Sequence, residues 1–269
     1  MKIIIPMAGA GKRFAEAGYL VHKPMIEVTS WRTGEKLPMV VAATKDLPGV
    51  EAEGANIIYM DRTFHKEAGV EEQIQRYFPK CRFLTVKELT EGQACTCLLA
   101  KEWINSSEEL LIAGCDNGMI LEKEKLEQAK QQAQVLAFTY RHQEIVNENP
   151  NAYGWIQTDS KGQIKRLSIK KPLSDTPAED HAIVATFWFR RGSDFVYAAE
   201  KMIAEQDRIN GEFYVDEVLK HTQELGMDTK VFEILRYIGW GTPREYEIYE
   251  QTLAYWKQFT ANKGFIPGE

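Results

Sequence analysis

Two glycines and three cations near the N-terminus, Gly9, Gly11, Lys12, Arg13 and Lys23, have the types and spacing needed to hold a polyphosphate. Glycine has no Cβ, so it can turn to positive φ and let main-chain N–H groups approach an anion. Lysine and arginine add fixed positive charge, and the arginine fork matches two phosphate oxygens at once. Two better-known phosphate loops are excluded. A Walker A loop needs glycine where Pro6 stands and serine or threonine where Arg13 stands. The dinucleotide fingerprint needs a third small residue where Phe14 stands. The plainer alternative is a glycine-rich strand-to-helix turn with surface cations.

Further groups with chemical potential follow along the chain. Leu110-Leu-Ile-Ala-Gly-Cys-Asp116 puts a carboxylate just beyond an apolar run, where it could hold Mg²⁺ through oxygen ligands shared with phosphate; otherwise Asp116 and Asn117 are turn formers before Gly118. In Glu91-Gly-Gln-Ala94, Gly92 allows close backbone approach and the Gln93 amide suits the edge of a nucleobase, unless this is an ordinary helix start with Thr90 as its cap. Ser168-Ile-Lys-Lys-Pro172 puts two lysines at a strand end, fit for a second phosphate. Asn210 to Asp216 puts acidic and aromatic groups at a helix start, fit for acceptor hydroxyls or a metal. Both segments read equally well as solvated loop ends. Trp240-Gly-Thr-Pro243 is a tight turn before a helix, to which spacing alone assigns no role.

The elements that must position these groups alternate. Ile3–Pro6, Asn56–Met60, Arg82–Val86, Leu110–Gly114 and Val135–Thr139 are short apolar runs of strand type. Between them Pro38–Asp46, Val70–Phe78, Gln93–Ile104 and Lys123–Gln132 carry apolar residues three or four apart, as helices do. Such alternation predicts an α/β fold with a mostly parallel central sheet flanked by helices. After Pro150 the pattern becomes mixed: a hairpin of Tyr153–Thr158 and Gln163–Ile169, a strand at Ala182–Phe189, helices at Ser193–Glu205 and Tyr214–Leu225, a strand near Thr229–Ile234 and a helix opened by Pro243. With no repeat or long linker, we expect one domain of two halves, about 1–147 of nucleotide-binding type and about 148–269 of mixed type. Ligands of open parallel sheets sit at the carboxyl ends of strands near a change in strand order, which is where Ala8–Phe14 and Gly114–Met119 fall.

Composition narrows the partners. A net charge of −6 over 269 residues argues against nucleic-acid and anionic-membrane binding, while leaving room for a local cationic pocket. The apolar run Ile3–Met7 is too short for a leader or a membrane span, so a cytoplasmic protein is expected. Cys81, Cys95, Cys97 and Cys115 and the five histidines form no zinc spacing, and reduced thiols are expected.

Taken together, Ala8-Gly-Ala-Gly-Lys-Arg-Phe14, Lys23-Pro24, Gly92-Gln-Ala94, Gly114-Cys-Asp116, Lys171-Pro172, Gly211-Glu-Phe-Tyr214 and Gly241-Thr-Pro243 resemble, in order and over nearly the whole chain, the sugar nucleotidylyltransferases that make nucleotide sugars. The resemblance implies a Rossmann-like nucleotide-diphospho-sugar transferase fold with a mixed acceptor lobe. It implies that Ala8, Gly9, Ala10, Gly11 and Lys12 wrap the triphosphate, that Arg13 and Lys23 act on its phosphates, and that Gly92 and Gln93 lie by the base. Asp116 would hold Mg²⁺, and Lys171 and Glu212 would meet the acceptor. The implied reaction joins a nucleoside triphosphate to a sugar 1-phosphate, or a related phospho-alcohol or phosphonate, and releases pyrophosphate; any homo-oligomer would use faces of this one domain. Alternatives are a metal-dependent glycosyltransferase, which lacks its Asp-x-Asp here, and a non-catalytic nucleotide sensor. Three positions depart from the family pattern. His22 replaces a proline, Lys170 a glutamate, and Gly239 the aspartate that would complete a two-carboxylate metal site.

Overall fold

The computed structural model describes residues 1–9 and 11–263, without the side chains of 261–263. In chain order the strands are β1 (Lys2–Pro6), β2 (Glu27–Thr29), β3 (Lys36–Pro38), β4 (Ile57–Arg62), β5 (Arg82–Val86), β6 (Leu110–Ile112), β7 (Asn117–Ile120), β8 (Val135–Tyr140), β9 (Gly154–Thr158), β10 (Ile164–Ile169), β11 (His181–Phe189), β12 (Thr229–Glu233) and β13 (Arg236–Gly239). The helices are α1 (Lys12–Glu16), α2 (Met39–Asp46), α3 (Thr63–Glu67), α4 (Val70–Gln75), α5 (Gln93–Leu98), α6 (Lys101–Ile104), α7 (Lys123–Gln131), α8 (Gly192–Ala204), α9 (Val215–Glu224) and α10 (Pro243–Lys263).

The first strand shows why the sheet has two covered faces. Ile3, Ile4 and Ile5 are all fully buried, and side chains alternate along a strand, so each face of β1 needs its own helical layer. Ile3 and Ile5 pack with Val40 and Val41 of α2 and Ile74 of α4, whereas Ile4 packs with Cys97 of α5, Phe195 of α8 and Leu219 of α9. Nine strands form the sheet, in the order β10-β9-β11-β6-β1-β4-β5, with β8 and β12 joined through β11. Strands β6, β1, β4 and β5 are parallel. Strand β11 runs antiparallel to β6, β8 and β9, so the second half of the chain extends the same sheet with mixed polarity. This is the expected α/β architecture.

The site is positioned by the change of direction at β1. The chain first builds outward through β4 and β5, then returns to place β6 on the other flank of β1. The loops leaving β1 and β6 therefore face each other across a crevice at the strands' carboxyl ends. Some elements differ from the sequence-based expectation. The run at 110–114 pairs only as far as Ile112, and 93–104 is two helices, because at Leu99 and Ala100 the bonds shift to i→i−3. The hairpin of β2 and β3, helix α3 and the antiparallel pair β7–β13 were not anticipated. A third apolar cluster, including Phe14, Val28, Leu37, Ile238 and Trp240, packs beneath the two antiparallel strand pairs. No helix among the described residues is long and apolar enough to cross a membrane.

Candidate active site

After β1 the chain passes Gly9 and reaches Gly11 at φ 63°, where α1 begins. A Cβ at Gly11 would stand 3.2 Å from the Cβ of Lys23, so glycine serves both the backbone turn and the approach of the lysine. Phe14 is buried and fixes α1, with the Lys23 ammonium 5.4 Å above its ring. Lys23 opens a 3₁₀ turn that Pro24 stiffens, and its Nζ donates to Asp116 Oδ2 at 2.6 Å and to the Gly241 carbonyl at 3.0 Å. Burial works against the charge of Lys23, but the Asp116 carboxylate outweighs it and holds the lysine above its ordinary pKa.

Asp116 is set by long-range pairing. Gly239 on β13 lies opposite Asn117 on β7, and the Trp240 N–H donates to the Asp116 carbonyl at 3.0 Å. The Asp116 side chain is thereby carried from the end of β6 to the backbone of Gly241.

Two cavities meet here. One, of about 430 Å³, is walled by Ala8, Gly9, Gly11, Thr90, Gly92 and Gly114. The other, of about 630 Å³, is walled by Arg13, Tyr153, Lys170, Asp216, Arg244 and Glu245. Lys23, Gln93, Asp116, Ala185 and Tyr214 line both. Ala185 has φ 56° within an irregularity of β11 between Ile183 and Phe187, so a strand bulge forms part of the shared wall.

The second cavity is built of charged side chains. Lys170, at φ 62°, donates to the Ala152 carbonyl and lies 5.7 Å over the Tyr214 ring. Burial lowers its pKa, with nearby Asp216 opposing. Burial pushes Asp216 up to about 6, partly offset by Lys170. Arg244 forks onto Glu148 at 2.7 and 3.0 Å, and Tyr153 donates to Glu245 Oε1 at 3.1 Å.

The residues expected at the site divide as follows. Ala8, Gly9, Gly11, Lys23, Gly92, Gln93 and Asp116 come together around the smaller cavity, and Arg13 joins Lys23, Gln93 and Asp116 around the larger one. Glu212 lines the smaller cavity rather than the larger. Lys12 is exposed and lines neither. Lys171 is likewise exposed and outside both, because the left-handed turn at Lys170 sends that neighbour's side chain into the cleft instead. Ala10 lies outside the described residues. Gly92 answers chiefly to a protein neighbour: at φ 135°, its Cβ would come within 2.5 Å of the Phe213 backbone, to which Glu91 and Ala94 are hydrogen-bonded. Sequence reasoning assigned no site role to Tyr153, Ala185 or Glu245, and it flagged Lys170 and Asp216 only within segments fit for a phosphate or for hydroxyls or a metal. For Glu245 a signal existed, since Thr242-Pro-Arg-Glu245 is a capping box.

The acceptor atoms around Gly241 are oxygens, of the Asp116 carboxylate, the Gly241 carbonyl and the Glu245 carboxylate; the Lys23 ammonium bonds the first two, at 2.6 and 3.0 Å, and, among the described residues, leaves the Glu245 carboxylate without a cation. A Cβ on Gly241 would lie 3.7 Å from Asp116 Oδ2 and 3.3 Å from Glu245 Oε2, so the missing side chain leaves a cradle between two carboxylates. Hard oxygen donors of this kind fit Mg²⁺. The grouping of Glu205, His221 and Glu224 also has metal-type spacing, but the Lys201 ammonium already sits among them at 2.5 to 3.4 Å. The cysteines are free and belong to no such set among the described residues.

A glycine loop and a carboxylate facing each other across a parallel-sheet switch point define a nucleotide-binding α/β protein. The sequence model for the nucleotidyl transferase family matches residues 2–240, and the chain belongs to that family of enzymes. The fold is similar to that of a nucleoside-diphosphate-sugar pyrophosphorylase from Vibrio cholerae RC9, with TM-score 0.70, 19% identity, and 93% of this chain and 99% of that one covered. It is similar to an inositol-1-phosphate CTP transferase from T. maritima, with TM-score 0.65, 16% identity and 93% of each chain covered. A UDP-glucose pyrophosphorylase solved with UDP-glucose has TM-score 0.61, 18% identity, and 96% and 98% covered. A search of curated proteins by sequence finds no match.

Proposed function

We propose that this nucleotidyltransferase joins a nucleoside triphosphate to a sugar 1-phosphate, or a related phospho-alcohol or phosphonate, and releases pyrophosphate. The observation that carries the reading is the pair of cavities meeting at Lys23 and Asp116. The smaller, backbone-walled cavity suits the triphosphate and base. The larger, with Lys170 and Asp216, suits a phosphorylated acceptor with polar groups. An acceptor phosphate oxygen would then bond to the α-phosphorus as the bond from that phosphorus to the bridging oxygen breaks, leaving pyrophosphate with the electron pair. The acceptor is already ionised, so no strong base is required, and positioning of two anions is the main task.

Lys23 and Arg13 supply positive charge at the junction, Gln93 offers its amide there, and Lys170 meets the acceptor's anionic group. Mg²⁺, when bound by Asp116 with Glu245 beside it, would neutralise phosphate charge in the transition state. Lys170 stands in place of the family's glutamate, which favours an acceptor more anionic than a simple sugar phosphate.

The test is pyrophosphate release with Mg²⁺, each of CTP, UTP, dTTP, ATP and GTP, and a panel of sugar 1-phosphates, phospho-alcohols and phosphonates. A productive pair that Asp116→Ala abolishes is the expected result. Nucleotide binding with no pyrophosphate released by any pair would overturn the reading.

A further inference from the structure

The missing aspartate at Gly239 leaves Asp116 without the second carboxylate that a two-acid metal site requires. The space beside Gly239 is already taken. A Cβ there would stand 2.9 Å from Tyr237 Cε1 and 3.2 Å from Glu245 Oε1, so Glu245 and a side chain at 239 compete for one volume. We infer that Glu245, reaching back from the first turn of α10, replaces the carboxylate absent at Gly239 and completes the divalent-cation site with Asp116. This inference rests on the proposed nucleotidylyl transfer.

Three observations support it. First, Glu245 is held in place: its Oε2 accepts from the Thr242 N–H at 2.9 Å and the Thr242 hydroxyl at 3.0 Å, its own N–H faces that hydroxyl at 3.2 Å, and its Oε1 accepts from Tyr153. A carboxylate offers about four lone-pair sites, so these neutral donors leave capacity for a metal or its waters. Second, the charges do not balance. Lys23 neutralises Asp116, whereas Arg244, the cation next to Glu245 in sequence, is committed to Glu148. Among the described residues no lysine or arginine pairs with Glu245, although it faces the cleft. A half-buried carboxylate without a partner cation favours binding one. Third, a Cβ on Gly241 would touch both carboxylates, 3.7 Å from Asp116 Oδ2 and 3.3 Å from Glu245 Oε2, so the two acids border the same space. Mg²⁺ keeps several waters and needs only one or two protein carboxylates beside substrate phosphates, so direct contact with both acids is not required.

The experiment measures Mn²⁺ binding by electron paramagnetic resonance and water-proton relaxation, with each of the five nucleoside triphosphates and no acceptor, so that no transfer occurs. Glutamine can keep the capping hydrogen bonds, so Glu245→Gln preserves the helix start, and its thermal unfolding is recorded alongside. We expect Glu245→Gln and Asp116→Asn each to raise the Mn²⁺ dissociation constant of the ternary complex roughly 10–100-fold. The double variant Gly239→Asp/Glu245→Ala should recover most of that loss. Wild-type affinity in a folded Glu245→Gln, with loss in Asp116→Asn, would overturn the inference and leave the proposed reaction standing. Absence of any nucleotide-dependent Mn²⁺ binding by the wild type would overturn both.

Discussion

The two cavities are built by different means. The smaller is lined by four glycines, Gly9, Gly11, Gly92 and Gly114, between side chains such as Arg62, Glu88 and Thr90, and at Gly11 and Gly92 φ is positive. The larger has more charged side chains, with Arg13, Tyr153, Lys170, Asp216 and the neighbours Arg244 and Glu245 arriving from five places along the sequence. A wall with bare backbone suits phosphates, which all nucleotides share. A cavity of charged side chains can be re-specified by single substitutions. On the proposed reading, the difference would put acceptor choice in the larger cavity.

That contrast can be broken, most severely, at the shared wall. Asp116→Ala should lower kcat roughly 10²–10³-fold, read as pyrophosphate release, with some loss of thermal stability, because the carboxylate would serve charge at the reacting phosphates and also pairs the mostly buried Lys23 ammonium. On the backbone side, Gly92→Ala places a Cβ within 2.5 Å of the Phe213 backbone at a φ that only glycine tolerates. It should cost about 3 kcal/mol and lower the Tm by several degrees in calorimetry. On the side-chain side, Lys170→Ala should raise the acceptor KM about 10–100-fold, the worth of one hydrogen bond to a charged group, with stability nearly unchanged. Lys171→Ala should stay within about twofold. If the two lysine variants behave alike, the assignment of the larger cavity to the acceptor fails.

A smaller effect follows from Asp216, whose folded pKa is about 6 against an ordinary 3.8. Between those values the folded protein holds a proton that the unfolded chain has released, so stability falls as pH rises through this window and then levels off. Asp216→Asn should reduce the drop in unfolding free energy between pH 4 and pH 7 by about 1–3 kcal/mol, measured by denaturant titration at both values. An undiminished drop would mean that the Asp216 carboxyl is not raised. Least of all, Lys12→Ala should change kcat/KM less than about twofold, since its side chain is exposed and borders neither cavity.

Much of the nucleotide side was legible because its parts are local. Ile3–Ile5 reads as a doubly buried strand, Gly9 and Gly11 as a turn, and Asp116 as an acid just past an apolar run; covalent connectivity alone brings these groups to the strand ends. Lys23 was legible as a cation, but its pairing with Asp116 was not. At the second lysine segment the resemblance pointed to Lys171, whereas Lys170 lines the larger cavity. Whether Lys170 or Lys171 enters the cleft depends on one left-handed residue, and nothing in the local sequence of a non-glycine announces it.

By itself, then, the sequence determined the α/β alternation, the glycine turn after the first strand and the family, because each depends on periodicity or on residues a few positions apart. Only the tertiary structure decided that β7 pairs with β13, more than a hundred residues away, and that Glu245 fills the volume beside Gly239. Those outcomes depend on which surfaces exclude one another in three dimensions. Excluded volume between distant segments leaves no periodic trace along the chain.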